Sequence, residues 1–158
     1  MLRSLELVDV GPSPRLKIDL GPRLNVFAGD NGLGKSFVLE VLWWALTGVW
    51  TELPAWPRPG ETSAAQIALE IDRSLGEAIF GRPAYPGDVE VLDDTFRLLS
   101  RFDLPRQRWN TFPLHLSKAP LPALVIFARA DGSFAVWDPA RNHYSLRQIG
   151  RASCRERV

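Results

Sequence analysis

Three apolar segments at the start of the chain predict three β-strands. Residues 5–10 are mostly leucine and valine, and residues 16–20 alternate leucine or isoleucine with Lys17 and Asp19. A Gly-Pro-Ser-Pro cluster separates these two segments, which predicts a hairpin. After a further turn, residues 24–28 (Leu-Asn-Val-Phe-Ala) predict a strand that is buried on both faces.

A single apolar α-helix is expected next. Residues 37–46 are apolar over most of a helical surface, and Gly48 is well placed as the C-terminal stop. Trp43 and Trp44 lie on adjacent faces of this helix. We expect both to pack in the core beneath the sheet, with a partner contact by one ring as the alternative.

Residues 50–63 are rich in proline and glycine and show no periodicity, which predicts an irregular loop. Trp56 lies among the prolines of this loop. We expect its ring to plug the loop onto the core, with an exposed anchor as the alternative.

The region from residue 64 to 148 predicts a β-rich lobe. Its apolar segments are separated by turn residues and by a break at 81–87, and they lie at 67–71, 96–103, 108–112 and 123–137. Asp131 and Gly132 interrupt the last segment, which is a hairpin signal. We therefore expect antiparallel hairpins here and not repeated βαβ units.

Composition indicates a globular domain without a membrane segment. Hydrophobic residues make up 46% of the 158, enough to bury a core. No run of 18 apolar residues occurs, and the N-terminus lacks a signal-peptide profile. We therefore expect a cytoplasmic protein. The net charge of +1 gives no overall attraction to nucleic acid.

The last ten residues, 149–158, resemble a translated sequencing adapter and are excluded from fold reasoning. They carry three Arg and one Glu, so residues 1–148 hold 16 basic and 17 acidic residues, a net charge near −1. The only cysteine, Cys154, also lies in this tail. A chain otherwise free of cysteine fits a reducing compartment. We expect the natural chain to continue beyond residue 148.

Between the third predicted strand and the helix, eight residues match the phosphate-loop pattern G-x-x-x-x-G-K-[ST] at every fixed position. They are Gly29, Asp30, Asn31, Gly32, Leu33, Gly34, Lys35 and Ser36. A strand, a glycine-rich turn and a helix N-terminus form a nest of backbone N–H groups that favours phosphate. An ordinary glycine-rich turn is the alternative.

The residue types suggest a role for each part of this loop. The three glycines let the backbone wrap phosphates without Cβ clashes. The Lys35 ammonium would reach the β- and γ-phosphates and stabilise charge in the transition state. The Ser36 hydroxyl would ligate Mg²⁺. We therefore expect ATP and Mg²⁺ as cofactors.

Asn31, the lead-in at 24–29 and the two strands before the loop resemble the ABC-type ATPase heads of SMC, Rad50 and RecF proteins. They are also similar to AAA-family ATPases of the overcoming-lysogenization-defect (OLD) kind. The resemblance implies an α/β P-loop NTPase fold, an incomplete ABC-type head with an N-terminal β-hairpin, a P-loop strand-helix unit and a β-rich antiparallel lobe. It also implies a homodimer that closes over ATP, with DNA or a defence effector as partner.

Three parts of the family pattern have no clear match. Residues 9–12 contain neither the Arg nor the aromatic residue that often lies near the base, so adenine recognition is unassigned. Gln107 and Gln148 are the candidates for the family's glutamine loop, without a preference between them. No LSGGQ-like signature motif occurs.

Hydrolysis also needs a carboxylate that holds Mg²⁺ and orients water, usually after an apolar strand. Asp93 and Asp94 follow such a segment, but Glu90 interrupts its apolar run. Asp131 follows the apolar residues 124–128, but it belongs to a predicted hairpin turn. We expect the true carboxylate beyond residue 148. The present residues would then bind nucleotide without hydrolysing it alone.

Other polar residues give weaker indications. His115 and His143 are too far apart in sequence to suggest a metal site. Arg101, Arg106 and Arg108 cluster near a predicted hairpin tip. We expect a solvated tip there, with a phosphate or nucleic-acid contact as the alternative.

Three functions compete. An SMC/RecF-like switch ATPase fits the motif and the resemblance best. A small-molecule P-loop kinase usually has its phosphate loop on the first strand, and two strands precede the loop here. A non-catalytic nucleotide-sensing module differs from the first only in lacking the Walker B carboxylate.

Overall fold

The computed structural model describes residues 1–51, 53–60, 65–80, 89–110 and 123–138. These residues form two helices and eight strands. In chain order they are β1 (Leu2–Val10), β2 (Ser13–Asp19), α1 (Lys35–Thr47), β3 (Gln66–Asp72), α2 (Arg73–Phe80), β4 (Val89–Val91), β5 (Thr95–Asp103), β6 (Arg108–Trp109), β7 (Val125–Ala128) and β8 (Phe134–Trp137).

Six strands form one sheet in which every pair is antiparallel. The strand order is β2-β1-β3-β5-β4, and β6 pairs with the C-terminal end of β5. The tight turn between β1 and β2 places Val10 opposite Ser13. The predicted N-terminal hairpin is therefore confirmed, and so are the strands predicted near residues 67, 96 and 108.

Strands β7 and β8 form a separate two-stranded hairpin, as predicted. Its register pairs Ile126 with Val136 and Ala128 with Phe134. The hairpin lies against α1, where the rings of Phe127 and Trp43 have centroids 6.0 Å apart.

The core lies on one face of the large sheet, because period-two alternation puts every second side chain of a strand on that face. It joins the sheet to both helices. Its buried members from β1, β3 and β5 include Leu5, Leu7, Val10, Ile67, Leu69, Ile71, Phe96 and Leu98, and those from α1 are Val38, Val41, Trp44 and Ala45.

Helix α1 begins and ends at glycines in the left-handed conformation. Gly34 is the N-cap, and the N–H of the C-cap Gly48 donates to the Trp44 carbonyl at 2.8 Å. Trp43 and Trp44 are both buried, and the Trp44 ring stacks on Trp50 at 4.5 Å. The predicted stop and the packing of Trp44 in the core beneath the sheet are confirmed, whereas Trp43 is buried against Phe127 of the β7–β8 hairpin and lies outside that core cluster. Neither helix in the described ranges is long and apolar enough to cross a membrane.

Residues 24–28 do not form the predicted buried strand. They have no regular secondary structure, and the side chains of Leu24 and Val26 are 80% and 78% exposed. A strand buried on both faces needs a paired strand on each side. Within the described part of the chain, no strand pairs with this segment. The apolar pattern was therefore not sufficient for burial.

Helix α2 was not predicted. Its Arg73 and Glu77 form an i,i+4 ion pair at 3.1 Å, while Gly76 and Ile79 are buried toward the sheet. The sequence pattern predicts a mostly β region here. The i,i+4 spacing of Leu75 and Ile79 was the signal that was overlooked.

The loop after α1 is irregular in the residues described, as predicted. Trp109 anchors it, because its indole N–H donates to the Ala55 carbonyl at 2.7 Å. Trp56 contacts the Phe102 ring at 5.7 Å but remains 54% exposed, so it plugs the loop only in part.

Several predictions fall outside the described residues. They concern the break at 81–87, His115, His143, Gln148, Cys154 and the tail 149–158.

Candidate functional site

The glycine-rich loop, residues 29–36, connects the irregular segment 24–28 to α1. Gly32 and Gly34 have φ of 85° and 84°. Side chains with a Cβ occupy this left-handed region at a cost of about 1–2 kcal/mol. Glycine at these two positions therefore lets the chain turn sharply into the helix.

The Lys35 side chain turns back onto this loop. Its Nζ donates to the carbonyl oxygens of Gly29 at 2.7 Å and Asp30 at 2.5 Å. These two bonds tie the ammonium to the main chain at the start of the loop. An ammonium has three N–H donors, so the third remains for a ligand oxygen.

The N-terminus of α1 has no side-chain cap. Gly34 occupies the N-cap position, and the first turn contains no acidic residue. N–H groups of a first helical turn lack intrahelical acceptors, and the helix dipole favours negative charge there. Ser36 lies in this turn with its side chain exposed. The loop, Lys35 and the helix N-terminus therefore present donors and positive charge in one place, suited to an anion.

The β1–β2 turn packs directly against the loop. A methyl group on Gly34 would lie 3.0 Å from the Pro12 ring, and one on Gly11 would lie 2.4 Å from the Phe37 ring. Pro12 therefore sits beside the N-cap of α1. Sequence reasoning examined residues 9–12 only as a base contact and missed this packing role.

Arg58, from the irregular loop, holds the same turn. Its side chain donates to the Pro12 carbonyl at 2.9 Å across a separation of 46 residues. Sequence reasoning did not single out Arg58, and no local pattern announces a contact between an irregular loop and a distant turn.

The acidic candidates lie at exposed positions. Strand β4 is at the edge of the sheet, and Asp93 and Asp94 follow it as exposed residues. The Asp93 carbonyl accepts from Arg73 at 3.0 Å. An exposed edge strand is not the buried strand that a Walker B carboxylate normally follows.

Asp131 lies in the β7–β8 turn and is occupied locally. Its carboxylate accepts from the Ser133 hydroxyl at 2.7 Å and the Ser133 N–H at 2.9 Å. The hydroxyl bond, followed by the backbone bond, holds the pKa of Asp131 below its ordinary value. These contacts stabilise the turn.

The arginines near the β5–β6 turn are exposed, as expected for a solvated tip. Arg106 pairs with Asp103 at 2.6 Å. This hydrogen bond lowers the pKa of Asp103 and raises that of Arg106. Gln107 lies in the same turn with φ of 50°.

One further ion pair joins α1 to the β7–β8 hairpin. The Arg129 Nη2 lies 3.7 Å from the Glu40 Oε1. Glu40 lies one helical turn after Ser36 in α1. The described residues contain no group of three or more acidic, His or Cys side chains suited to hold a metal.

Residues 5–78, from β1 into α2, match the family model of an AAA domain. This match supports an AAA-type ATPase family and a nucleotide-binding, ATPase-type function. The mixed α/β fold with an antiparallel sheet is consistent with such a domain. The matched segment includes the glycine-rich loop together with Pro12 and Arg58. No solved structure matches the chain significantly.

Proposed function

We propose that the glycine-rich loop binds the phosphates of ATP, and that the chain is the nucleotide-binding half of an SMC/RecF-like switch ATPase. One observation carries this proposal. The Lys35 ammonium and the uncapped N-terminus of α1 converge on one loop, within the segment that matches an AAA domain.

Each part of the site has a chemical role in this proposal. Backbone N–H groups of the loop and of the first turn of α1 donate to phosphate oxygens. Lys35 keeps its two carbonyl bonds and directs its third N–H at the β- and γ-phosphates. The ammonium thereby offsets negative charge as it builds up during phosphoryl transfer.

Mg²⁺ fits the same site, because the exposed Ser36 hydroxyl is a hard oxygen ligand beside the phosphate position. Ser36 would hold the ion together with phosphate oxygens. The ion would supply positive charge that neutralises the β- and γ-phosphates.

A switch ATPase also needs a carboxylate and a second protomer that closes over the γ-phosphate. We propose that ATP drives such a homodimer. The second candidate function is a nucleotide sensor without hydrolysis. It is favoured by the exposed edge position of Asp93 and Asp94 and by the local bonds of Asp131. Release of phosphate would favour the first function, whereas binding without release by these residues alone fits both functions.

The test is titration calorimetry of the 158-residue chain with Mg·ATP. We expect Lys35→Ala to weaken binding by about ten- to a hundredfold, the range for a lost hydrogen bond to a charged group. Lys17→Ala is the matched control, because Lys17 is an exposed lysine of β2. Lys17→Ala is expected to bind like wild type. Equal affinity of the Lys35→Ala and wild-type chains would contradict the proposed site.

A further inference from the structure

We infer that Arg58 is a positioning residue for the nucleotide site. It holds the β1–β2 turn against the glycine-rich loop and thereby fixes the N-cap of α1. This inference rests on the proposed function, since it concerns how the same loop is kept in a binding conformation.

Arg58 bonds three carbonyls of one turn. Its backbone N–H donates to Asp9 O at 2.8 Å, and its Nη1 donates to Pro12 O at 2.9 Å. A longer contact of 3.4 Å joins Nη1 to Gly11 O. The neighbouring Pro57 forms an isolated antiparallel bridge with Val10. Arg58 therefore grips the turn through both its main chain and its side chain.

The turn needs such an anchor, because its backbone conformation is unfavourable. Asp9 has φ of 52°, in the left-handed region, whereas Gly11, with φ of 75°, occupies this region without a steric cost. A non-glycine residue in this region costs free energy and persists only where surrounding contacts hold it. The bonds from Arg58 to the Asp9 and Pro12 carbonyls are contacts of this kind.

The same turn bears on the loop at two points. The Pro12 ring lies beside the Cα of Gly34, and the Phe37 ring covers Gly11. Gly34 is the N-cap of α1, and Lys35 and Ser36 follow it directly. A shift of the turn therefore releases the residue that aims the Lys35 side chain and the Ser36 hydroxyl.

The experiment compares the full chain with Arg58→Met, Arg58→Lys, Pro12→Ala and the Arg58→Met/Pro12→Ala double variant. Arg23→Met is the matched control, because it removes one exposed arginine that precedes the loop in sequence. Three quantities are measured for each protein. They are the Kd for Mg·ATP, the amide hydrogen exchange of residues 29–34 without nucleotide, and Tm.

Arg58→Met is expected to raise the Kd by about tenfold, the order for one lost hydrogen bond, here the bond to the Pro12 carbonyl that holds the turn against the loop. It is also expected to speed exchange at residues 29–34 before any nucleotide is added. Arg58→Lys should recover part of both effects, because an ammonium can still donate to Pro12 O. The double variant should bind ATP no more weakly than Pro12→Ala, because both changes break the same connection. Arg23→Met should behave as wild type.

Two results would overturn the inference while leaving the proposed function intact. The first is an unchanged Kd for Arg58→Met in a protein that binds ATP through Lys35. The second is additive losses in the double variant with normal loop exchange, which would mean that Arg58 acts on the phosphates directly. Should Arg58→Met lower Tm strongly, Pro12→Ala decides, because it removes the ring beside Gly34 without changing Arg58. An unchanged Kd and normal exchange at residues 29–34 in Pro12→Ala would overturn the inference. A wild-type chain that binds no ATP would overturn both proposals.

Discussion

Three glycines with the same backbone angle provide a sharp test of how the β1–β2 turn supports the loop. Gly32, Gly34 and Gly132 have φ of 85°, 84° and 85°. They differ in the atoms that lie near the methyl group of an alanine at each position. At Gly32 and Gly132 nothing lies within 4 Å, whereas at Gly34 the Pro12 ring lies at 3.0 Å.

The expected costs of substitution by alanine follow from this difference. The left-handed conformation costs alanine about 1–2 kcal/mol, and the stiffer unfolded chain returns about 0.4–1 kcal/mol. Gly32→Ala and Gly132→Ala should therefore lower the free energy of unfolding by roughly 0.5–1 kcal/mol. Gly34→Ala also crowds the Pro12 ring, and overpacking of this kind costs about a further 1–3 kcal/mol. We therefore expect Gly34→Ala to lower the free energy of unfolding most of the three.

The assay is urea unfolding followed by circular dichroism, with a Mg·ATP titration of each variant. Gly132→Ala serves as the control, because Gly132 lies in the β7–β8 turn and not in the loop. Its ATP affinity should equal that of wild type, while Gly32→Ala and Gly34→Ala should bind more weakly. Equal stability losses for Gly32→Ala and Gly34→Ala would refute the contact between Pro12 and the loop.

Two further predictions concern the fold. Gly76→Ala should lower the free energy of unfolding by about 1–3 kcal/mol, because a methyl group there would lie 2.2 Å from the buried Phe96 ring. Helix propensity alone favours alanine over glycine by about 1 kcal/mol. Ser74→Ala, at an exposed position of the same helix, is the control and should raise the free energy of unfolding. A similar gain for Gly76→Ala in urea unfolding would contradict the contact with Phe96. The N-terminal ammonium and then Arg3, opposed by desolvation, hold the pKa of Asp72 below its ordinary 3.8. The charged Asp72 therefore stabilises the folded chain above pH 3.8, and this stabilisation is lost as the pH falls through the lower folded pKa. Asp72→Asn removes the titrating group, so its Tm should depend less on pH below about pH 4 than the Tm of wild type does. An unchanged profile would exclude this contribution.

Local patterns predicted the elements that depend on local physics. Period-two alternation predicted the β1–β2 hairpin and β3. These strands pair with one another, since β1 lies between β2 and β3 in the sheet. Helix α1 follows from its apolar surface and from Gly48, whose left-handed φ of 77° ends the helix. The glycine-rich loop was recognised because its motif is continuous in sequence.

The failures concern features that depend on distant partners. An apolar run shows that residues 24–28 can be buried, but burial also needs flanking strands. Helix α2 is only eight residues long and contains Gly76, so its helical signal is weak without the sheet on which it packs. The bond from Arg58 to Pro12 O spans 46 residues and starts in an irregular loop, where no periodicity exists to predict it.

The measurement that tests the central claim most directly is a backbone amide NMR titration of the chain with Mg·ATP. The proposed function predicts that the largest shift changes fall on the N–H groups of residues 29–36, and that in Lys35→Ala they need about ten- to a hundredfold more Mg·ATP. Shift changes that centre elsewhere, or none at saturating Mg·ATP, would contradict the claim that this loop binds ATP.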